Sequence, residues 1–537
     1  MELRDKSGLL IDDLPEMRSA VRIQLADAGL EKCDTARNVK EAIDKLTAKQ
    51  YDLVVCDYNL GQGADGQQFL ELVRRKKLLP PTTVFLMITG ESGYEKVSTA
   101  AELAPDDYLL KPFTSETLRS RLVRIFEKKD ALRPIHQYLG ERGDRKLALA
   151  ACDSMFAENS RYLLDVLRLK GELLLTLERT DEALALYEGV LEQRSTPWAE
   201  VGKARTLAAD GNEEAAMAHL ERALQAYPNY LAAYDTLAQI LEISDTEAAQ
   251  QVVEQALKVA PSTQRQRHIG GLALTNKDFP RAEEAFRRTV EKDRTGFFKS
   301  HDDYAGLAKS CSGQGKVQEA LAAVKDMGVH FQRTPELAAR QAAVESQVHG
   351  KAGNTAAALA AMEKALAVMK GAELDAETAL EVAQACFLVG RSEDGKNIIR
   401  RVAEDNHDND RIFARAQAVF VAAGLGDEGA ALLDATRSHL IKLNNDAVEL
   451  AKSGELDQAI DMLRAAADRL RNNAQIAVNT AMALLAHIQQ NGMNKERLAL
   501  AERYILQARH ADPEHYKLGE VEAFFRKLAP PGTELGA

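Results

Sequence analysis

The sequence predicts a multidomain chain in which an N-terminal α/β domain, built on a five-stranded parallel sheet, is followed by an all-α helical-repeat solenoid. Three observations predict it. Over the first 127 residues short apolar runs alternate with amphipathic stretches; from about residue 128 the strand-like runs vanish and small residues recur at a step of 33. The length, 537 residues, exceeds the roughly 250–300 residues that one hydrophobic core fills.

In the first domain the runs at 9–11, 53–56, 84–88 and 107–110 read as buried strands, and a weaker run at 31–36 supplies a fifth. The stretches 16–28, 39–48, 67–76, 93–103 and 115–128 carry helical periodicity. Strands alternating with helices close into parallel pairs by right-handed crossovers, which gives a doubly wound sheet. Ligand sites in such sheets form at the carboxyl ends of the strands. There the sequence places Asp12 and Asp13, then Asp57, then Thr89, then Lys111, each directly after an apolar run.

Carboxylates gathered at one sheet edge repel and raise one another's pKa unless a cation neutralises them. Hard oxygen donors at an open, wet edge suit Mg2+, which also takes phosphate oxygens. A carboxylate nucleophile in such a place becomes an aspartyl phosphate. A Thr89 hydroxyl and a Lys111 ammonium are the donors that would stabilise phosphoryl oxygens.

Asp12-Asp13, Arg18, Asp57-Tyr-Asn-Leu60, Asp65-Gly66, Thr89-Gly90 and Tyr108-Leu-Leu-Lys-Pro-Phe113 together resemble the receiver domain of response regulators, a flavodoxin-like fold, over the first quarter of the chain. The resemblance implies that Asp57 is the phosphoacceptor, served by a sensor histidine kinase or a phosphotransfer protein. It implies that Asp12, Asp13, Asp57 and the backbone carbonyl of Asn59 hold Mg2+. Thr89 and Lys111 then bind the phosphoryl group, Tyr108 matches an aromatic residue that turns inward on activation, and the bond before Pro112 matches one usually cis. Three positions depart from the pattern: Gly61 stands where Pro is usual, the stretch to Gly66 is one residue longer, and Gly90 replaces a more usual Ala.

In the remaining chain Ala183, Ala216, Ala249 and Ala282 are followed four residues on by Tyr187, Leu220, Val253 and Phe286, and seven on by Val190, Ala223, Ala256 and Thr289, one face of a helix. A second amphipathic stretch precedes each, with Gly171, Ala204, Ala238 or Gly270 where two helices would cross closely. The unit is a helical hairpin. Looser copies centre on Ala320, Ala358, Gly395, Gly429, Ala459 and Ala501, and Pro228, Pro261 and Pro513 follow second helices. The pattern is similar to the tetratricopeptide repeat (TPR), on the order of ten or eleven copies. Single hairpins cannot bury their apolar stripes, so they stack, and the stacked surface binds protein or peptide. The expected domains are 1–127, a receiver; 128–528, a TPR-like repeat domain; and 529–537, a Pro- and Gly-bearing disordered tail.

Composition narrows the function. A net charge of -12 and a pI near 5.6 argue against a polyanion partner. No apolar run reaches the roughly 18–20 residues of a membrane span, and Arg4, Asp5 and Lys6 stand where a signal peptide is apolar, so a cytoplasmic protein is expected. The five cysteines form no CxxC pair and no HExxH occurs. The expectation is a two-component response regulator with a protein-binding output and no enzymatic activity beyond the receiver's own phosphorylation and dephosphorylation. Two alternatives stand beside it. One is a repeat-based antagonist or phosphatase of another signalling protein; the other is a transcriptional regulator, against which no three-helix module with a basic recognition helix follows the receiver.

Overall fold

Alternation of side chains along five short strands divides the first domain into two apolar layers, and these decide where its helices lie. In the computed structural model the strands are β1 (Ser7–Ile11), β2 (Lys32–Ala36), β3 (Leu53–Asp57), β4 (Val84–Thr89) and β5 (Asp107–Leu110), all parallel in the order β2-β1-β3-β4-β5. The helices are α1 (Pro15–Asp27), α2 (Val39–Ala48), α3 (Gly66–Arg75) and α4 (Ser115–Ala131). The structure describes residues 3–61, 65–76, 78–90, 105–140, 144–157, 161–293, 299–372, 374–407, 409–513 and 515–530. The helix expected at 93–103, and all but the first two residues of the expected tail, lie outside them.

Leu10, Val55, Leu86, Ile88 and Leu109 pack with Val21 and Leu25 of α1 and Leu118, Leu122 and Phe126 of α4. On the other face Leu9, Ile11, Val54, Cys56, Phe85, Met87 and Tyr108 pack with Val39, Ala42 and Leu46 of α2 and Phe69, Leu70 and Val73 of α3. Each fully buried Leu, Val or Phe contributes about 1.5–3 kcal/mol, so the sheet is held from both sides.

α4 runs past residue 128 without a break, and after Leu132 a helix spans Arg133–Gly140. Among the described residues, Leu132 alone stands between these two helices. Lys128 of α4 pairs with Asp165, and Lys129 reaches Asp106 at 3.0 Å.

The remaining described elements are helices, from Arg133–Gly140 to Leu518–Leu528. The chain divides into two compact units, the first holding the α/β domain and the helices up to Asp303, the second starting at Tyr304. In the first unit Ala183, Ala216, Ala249 and Ala282 are all fully buried, as the 33-residue step requires. The small residues of the preceding helices make room for the aromatics. A Cβ on Gly171 would lie 2.5 Å from the Tyr187 hydroxyl, and one on Gly270 would lie 2.8 Å from the Phe286 ring.

In the second unit Ala320, Ala358, Ala459 and Ala501 are buried in the same manner. One hairpin differs from the periodic reading. Where a turn is expected after the helix that contains Gly429, a single helix runs from Gly426 to Lys452. The segment Asp434-Ala-Thr-Arg-Ser-His-Leu-Ile-Lys-Leu-Asn-Asn-Asp446 has no Pro or Gly to stop it, whereas Pro228 and Pro261 end other repeats.

Candidate functional site

Strand register brings the acidic residues together. Ile11 pairs with Cys56 and Asp57 with Ile88, so Asp12, one residue beyond β1, stands beside Asp57 at the last position of β3. Thr89 pairs with Leu110, which sets Lys111 one residue beyond β5 at the same edge. Asp12, Asp57 and Thr89 are 1%, 8% and 2% exposed, while Asp13 is partly open to solvent. The carboxylates of Asp12, Asp13 and Asp57 approach within 4.8 Å of one another.

One cation balances part of this charge. Lys111 Nζ lies 3.1 Å from Asp57 Oδ2 and 3.4 Å from Asp12 Oδ2. The other oxygen of Asp12 accepts from the Leu14 amide at 2.9 Å, and Arg18 donates to the Asp12 carbonyl at 2.6 Å, so the start of α1 orients this acid. Burial pushes the Asp57 carboxyl above the usual carboxylate range; Lys111 opposes the shift and Asp12 adds to it. Among the described residues, three acids against the Lys111 ammonium and the nearby Arg18 guanidinium leave an excess of negative charge on oxygen donors. That set fits a hard divalent cation such as Mg2+.

The loop after β3 is shaped by glycine. Gly61, at the position where the resemblance leads one to expect Pro, has φ +67°, which Pro cannot adopt. A Cβ there would also lie 2.6 Å from Asp13 Oδ2. Asn59 bridges to Asp65 across the loop, and its side chain accepts from the Gly61 amide at 3.2 Å. Gly66 opens α3 in close contact with the strand: its amide donates to the Tyr58 carbonyl at 2.6 Å, and a Cβ would meet the Asp57 carbonyl oxygen at 2.6 Å. Asp65 caps α3 by accepting from the Gln68 amide at 2.7 Å, and Gln68 Oε1 accepts from the Asp65 amide at 3.3 Å.

Tyr108 is buried among the side chains beneath α2 and α3, and the Lys111–Pro112 peptide bond is cis. Sequence reading found the acids, Thr89 and Lys111. It gave no role to Gln68, whose amide nitrogen donates to Thr263 Oγ1 at 3.0 Å across a separation of 195 residues. No local pattern signals such a pair.

A family model of the response regulator receiver domain matches residues 9–123, and one of the tetratricopeptide repeat matches residues 164–230 and 241–296. Chemotaxis protein CheY-3 of Vibrio cholerae is 35% identical over 120 residues, which cover 22% of this chain and 91% of that protein. Chemotaxis protein CheY of Pseudomonas aeruginosa is 31% identical over 120 residues, 22% of this chain and 95% of that protein. A solved tetratricopeptide repeat protein from Parabacteroides merdae aligns with 45% of this chain and 92% of its own at 15% identity and a TM-score of 0.31. Through its first quarter the chain belongs to the response regulator receiver family, and it joins that receiver to tetratricopeptide repeats.

Proposed function

We propose that the protein is a two-component response regulator, switched by Mg2+-dependent phosphorylation of Asp57, whose repeats bind a protein partner as the output. The observation that carries the reading is the triad of Asp12, Asp13 and Asp57 within 4.8 Å, with Lys111 3.1 Å from Asp57. Asp57 attacks the phosphorus of a phosphohistidine on a sensor kinase or phosphotransfer protein; the new O–P bond forms as the N–P bond breaks, and the imidazole leaves with the bond's electron pair. Lys111 then shifts from the carboxylate to a phosphoryl oxygen, and the Thr89 hydroxyl donates to another. Asp12, Asp13, Asp57 and the Asn59 carbonyl would hold Mg2+, which supplies charge neutralisation for the incoming group. The phosphoryl group moves from the donor histidine to Asp57 and goes no further, so the proposed output is binding and not catalysis of a second reaction.

No described helix is long and apolar enough to cross a membrane, and the proposed site of action is the cytoplasm. Incubation with acetyl phosphate and Mg2+ is expected to add one hydroxylamine-sensitive phosphoryl group, read by intact mass. Asp57→Asn abolishes it. Equal labelling of that variant places the nucleophile elsewhere, and no labelling of the wild type removes the switch.

A further inference from the structure

The contact between Gln68 and Thr263 joins the receiver to the repeats inside the first compact unit. Both residues stand at helix amino ends: Gln68 in the first turn of α3, Thr263 at the first position of the helix Thr263–Thr275, whose cap Ser262 accepts from the Arg265 amide at 3.1 Å. Amino-terminal turns of surface helices ordinarily face water. Here Gln68 is 8% and Thr263 6% exposed, and their side chains bond each other.

Gln68 is tied to the phosphoacceptor by a short physical chain. Its backbone amide and side-chain oxygen form both bonds of the capping box with Asp65. Asp65 immediately precedes Gly66, which touches the backbone of Asp57 and Tyr58 without room for a methyl group. Asp65 is also bridged to Asn59, two residues after Asp57. On the repeat side the Lys292 ammonium, from the helix Phe279–Asp293, acts on Asp65.

We propose that Gln68 and Thr263 form an intramolecular latch between the receiver and the repeats, and that a phosphoryl group on Asp57 opens it. The proposal rests on the reading of Asp57 as phosphoacceptor for its trigger, but not for the latch itself. A phosphoryl group adds roughly -1.5 to -2 charge and new bulk at the end of β3, whose backbone at Asp57 and Tyr58 is in close contact with Gly66. The Asp65 cap that orients Gln68 is built on that contact and on the bridge from Asn59 to Asp65. Packing at Gly66 passes on any movement of the β3 end to the same turn, because a close-packed contact yields by shifting as a unit. Opening exposes the amino end of the helix Thr263–Thr275, a surface of the repeats that the receiver otherwise covers.

Hydrogen exchange of the full-length chain, with and without beryllofluoride and Mg2+, tests this in the segments 66–72 and 263–269. Loss of one buried hydrogen bond corresponds to a roughly two- to tenfold rise in exchange where opening is limited by the latch. Beryllofluoride is expected to raise exchange in both segments of the wild type. Gln68→Ala and Thr263→Val should each raise it in both segments without beryllofluoride, and the double variant should add little to either single change. All three variants should still accept a phosphoryl group at Asp57. If Thr263→Val leaves α3 exchange unchanged and Gln68→Ala leaves 263–269 unchanged, there is no latch. If the variants behave as expected but beryllofluoride moves neither segment while labelling at Asp57 proceeds, the latch exists and its proposed trigger is wrong. Absence of labelling overturns the phosphoacceptor reading and leaves the variant comparison to decide the latch.

Discussion

Replacing Asp57 by Asn is expected to stabilise the receiver in the absence of divalent metal, although it removes a hydrogen-bonding acid from a buried position. The reasoning is electrostatic. Burial is the largest cause that disfavours the ionised Asp57 carboxyl, and Asp12, within 4.8 Å, adds a repulsion of at least about 3.5 kcal/mol at an effective dielectric constant near 20. Lys111, at 3.1 Å, returns about 5 kcal/mol at the same dielectric, so the raised pKa means that desolvation, with the Asp12 repulsion, outweighs this attraction and leaves a net penalty on the ionised form. Charge screening and side-chain relaxation reduce this, and the expected gain for Asp57→Asn is about 1–2 kcal/mol at low salt. The pH dependence follows from the same shift. The folded Asp57 carboxyl titrates above its unfolded value, so its stabilising contribution is complete below the usual carboxylate range and is lost as pH rises through the folded pKa. The variant lacks that slope. Mg2+ at ten times its dissociation constant should raise wild-type stability by about 1.4 kcal/mol and the variant's by less. Exchange of the β3 amides under urea, in chelator and in Mg2+, measures each quantity. A variant less stable than wild type in chelator, or an equal response of both to Mg2+, would refute the account of the triad as a strained cation site.

Three further changes have expected outcomes. Gly66→Ala places a methyl group 2.6 Å from the Asp57 carbonyl oxygen and the Met87 sulfur, so it should cost about 1–3 kcal/mol by overpacking and slow labelling by acetyl phosphate; full stability in urea would show that the turn has slack. Lys277 holds φ +61° in a hairpin turn where Gly211 holds φ +79°, and Lys277→Gly should raise stability by about 0.5–1 kcal/mol because relief of the left-handed strain exceeds the added unfolded-chain entropy; a lower melting temperature would contradict it. Burial opposes ionisation of Glu381, yet Lys309 and Arg340 hold its carboxyl below the usual range. Glu381→Ala should therefore cost about 3–5 kcal/mol by removing the buried acid that Lys309 and Arg340 share. The wild-type contribution is present above the usual carboxylate range and lost as pH falls through the lowered pKa, which an acid titration of the second unit by circular dichroism reads.

The parallel sheet was legible because two separate signals coincide in it. Apolar runs such as Val84 to Ile88 mark strands buried on both faces, and chemically matched residues follow four of those runs directly. Since β-sheet register is set by the buried faces, naming the residue after each run was nearly equivalent to naming the residues that meet at the edge. β2 was fainter because Lys32-Cys-Asp-Thr-Ala36 is exposed along much of its length and so lacks the apolar run. The repeats were legible for a different reason: Tyr187 and Phe286 need a glycine opposite them, and a volume requirement that recurs every 33 residues leaves a period. Where that requirement lapses the period misleads, as at Gly426–Lys452, where helix propensity carries the chain through an expected turn.

The Gln68–Thr263 contact belongs to neither class, and this bears on how regulation enters such a chain. Gln68 is an ordinary capping-box residue in its local sequence and Thr263 an ordinary first helical residue; the local caps of the two helices, Asp65 with Gln68 and Ser262 with the Arg265 amide, are formed within each helix. Nothing local therefore constrains the pair, and a contact of this kind can be added to an existing receiver and an existing repeat without disturbing either core. Its strength is correspondingly small, about the 0.5–1.5 kcal/mol of a single net hydrogen bond, unless neighbouring contacts reinforce it. A latch of that size cannot by itself supply the roughly 5.5 kcal/mol of differential stability that carries a two-state equilibrium from one extreme to the other. It can shift the open population by about tenfold at most. The corresponding expectation for output is graded binding of a partner, and a strictly all-or-none response on phosphorylation would require interactions beyond Gln68 and Thr263.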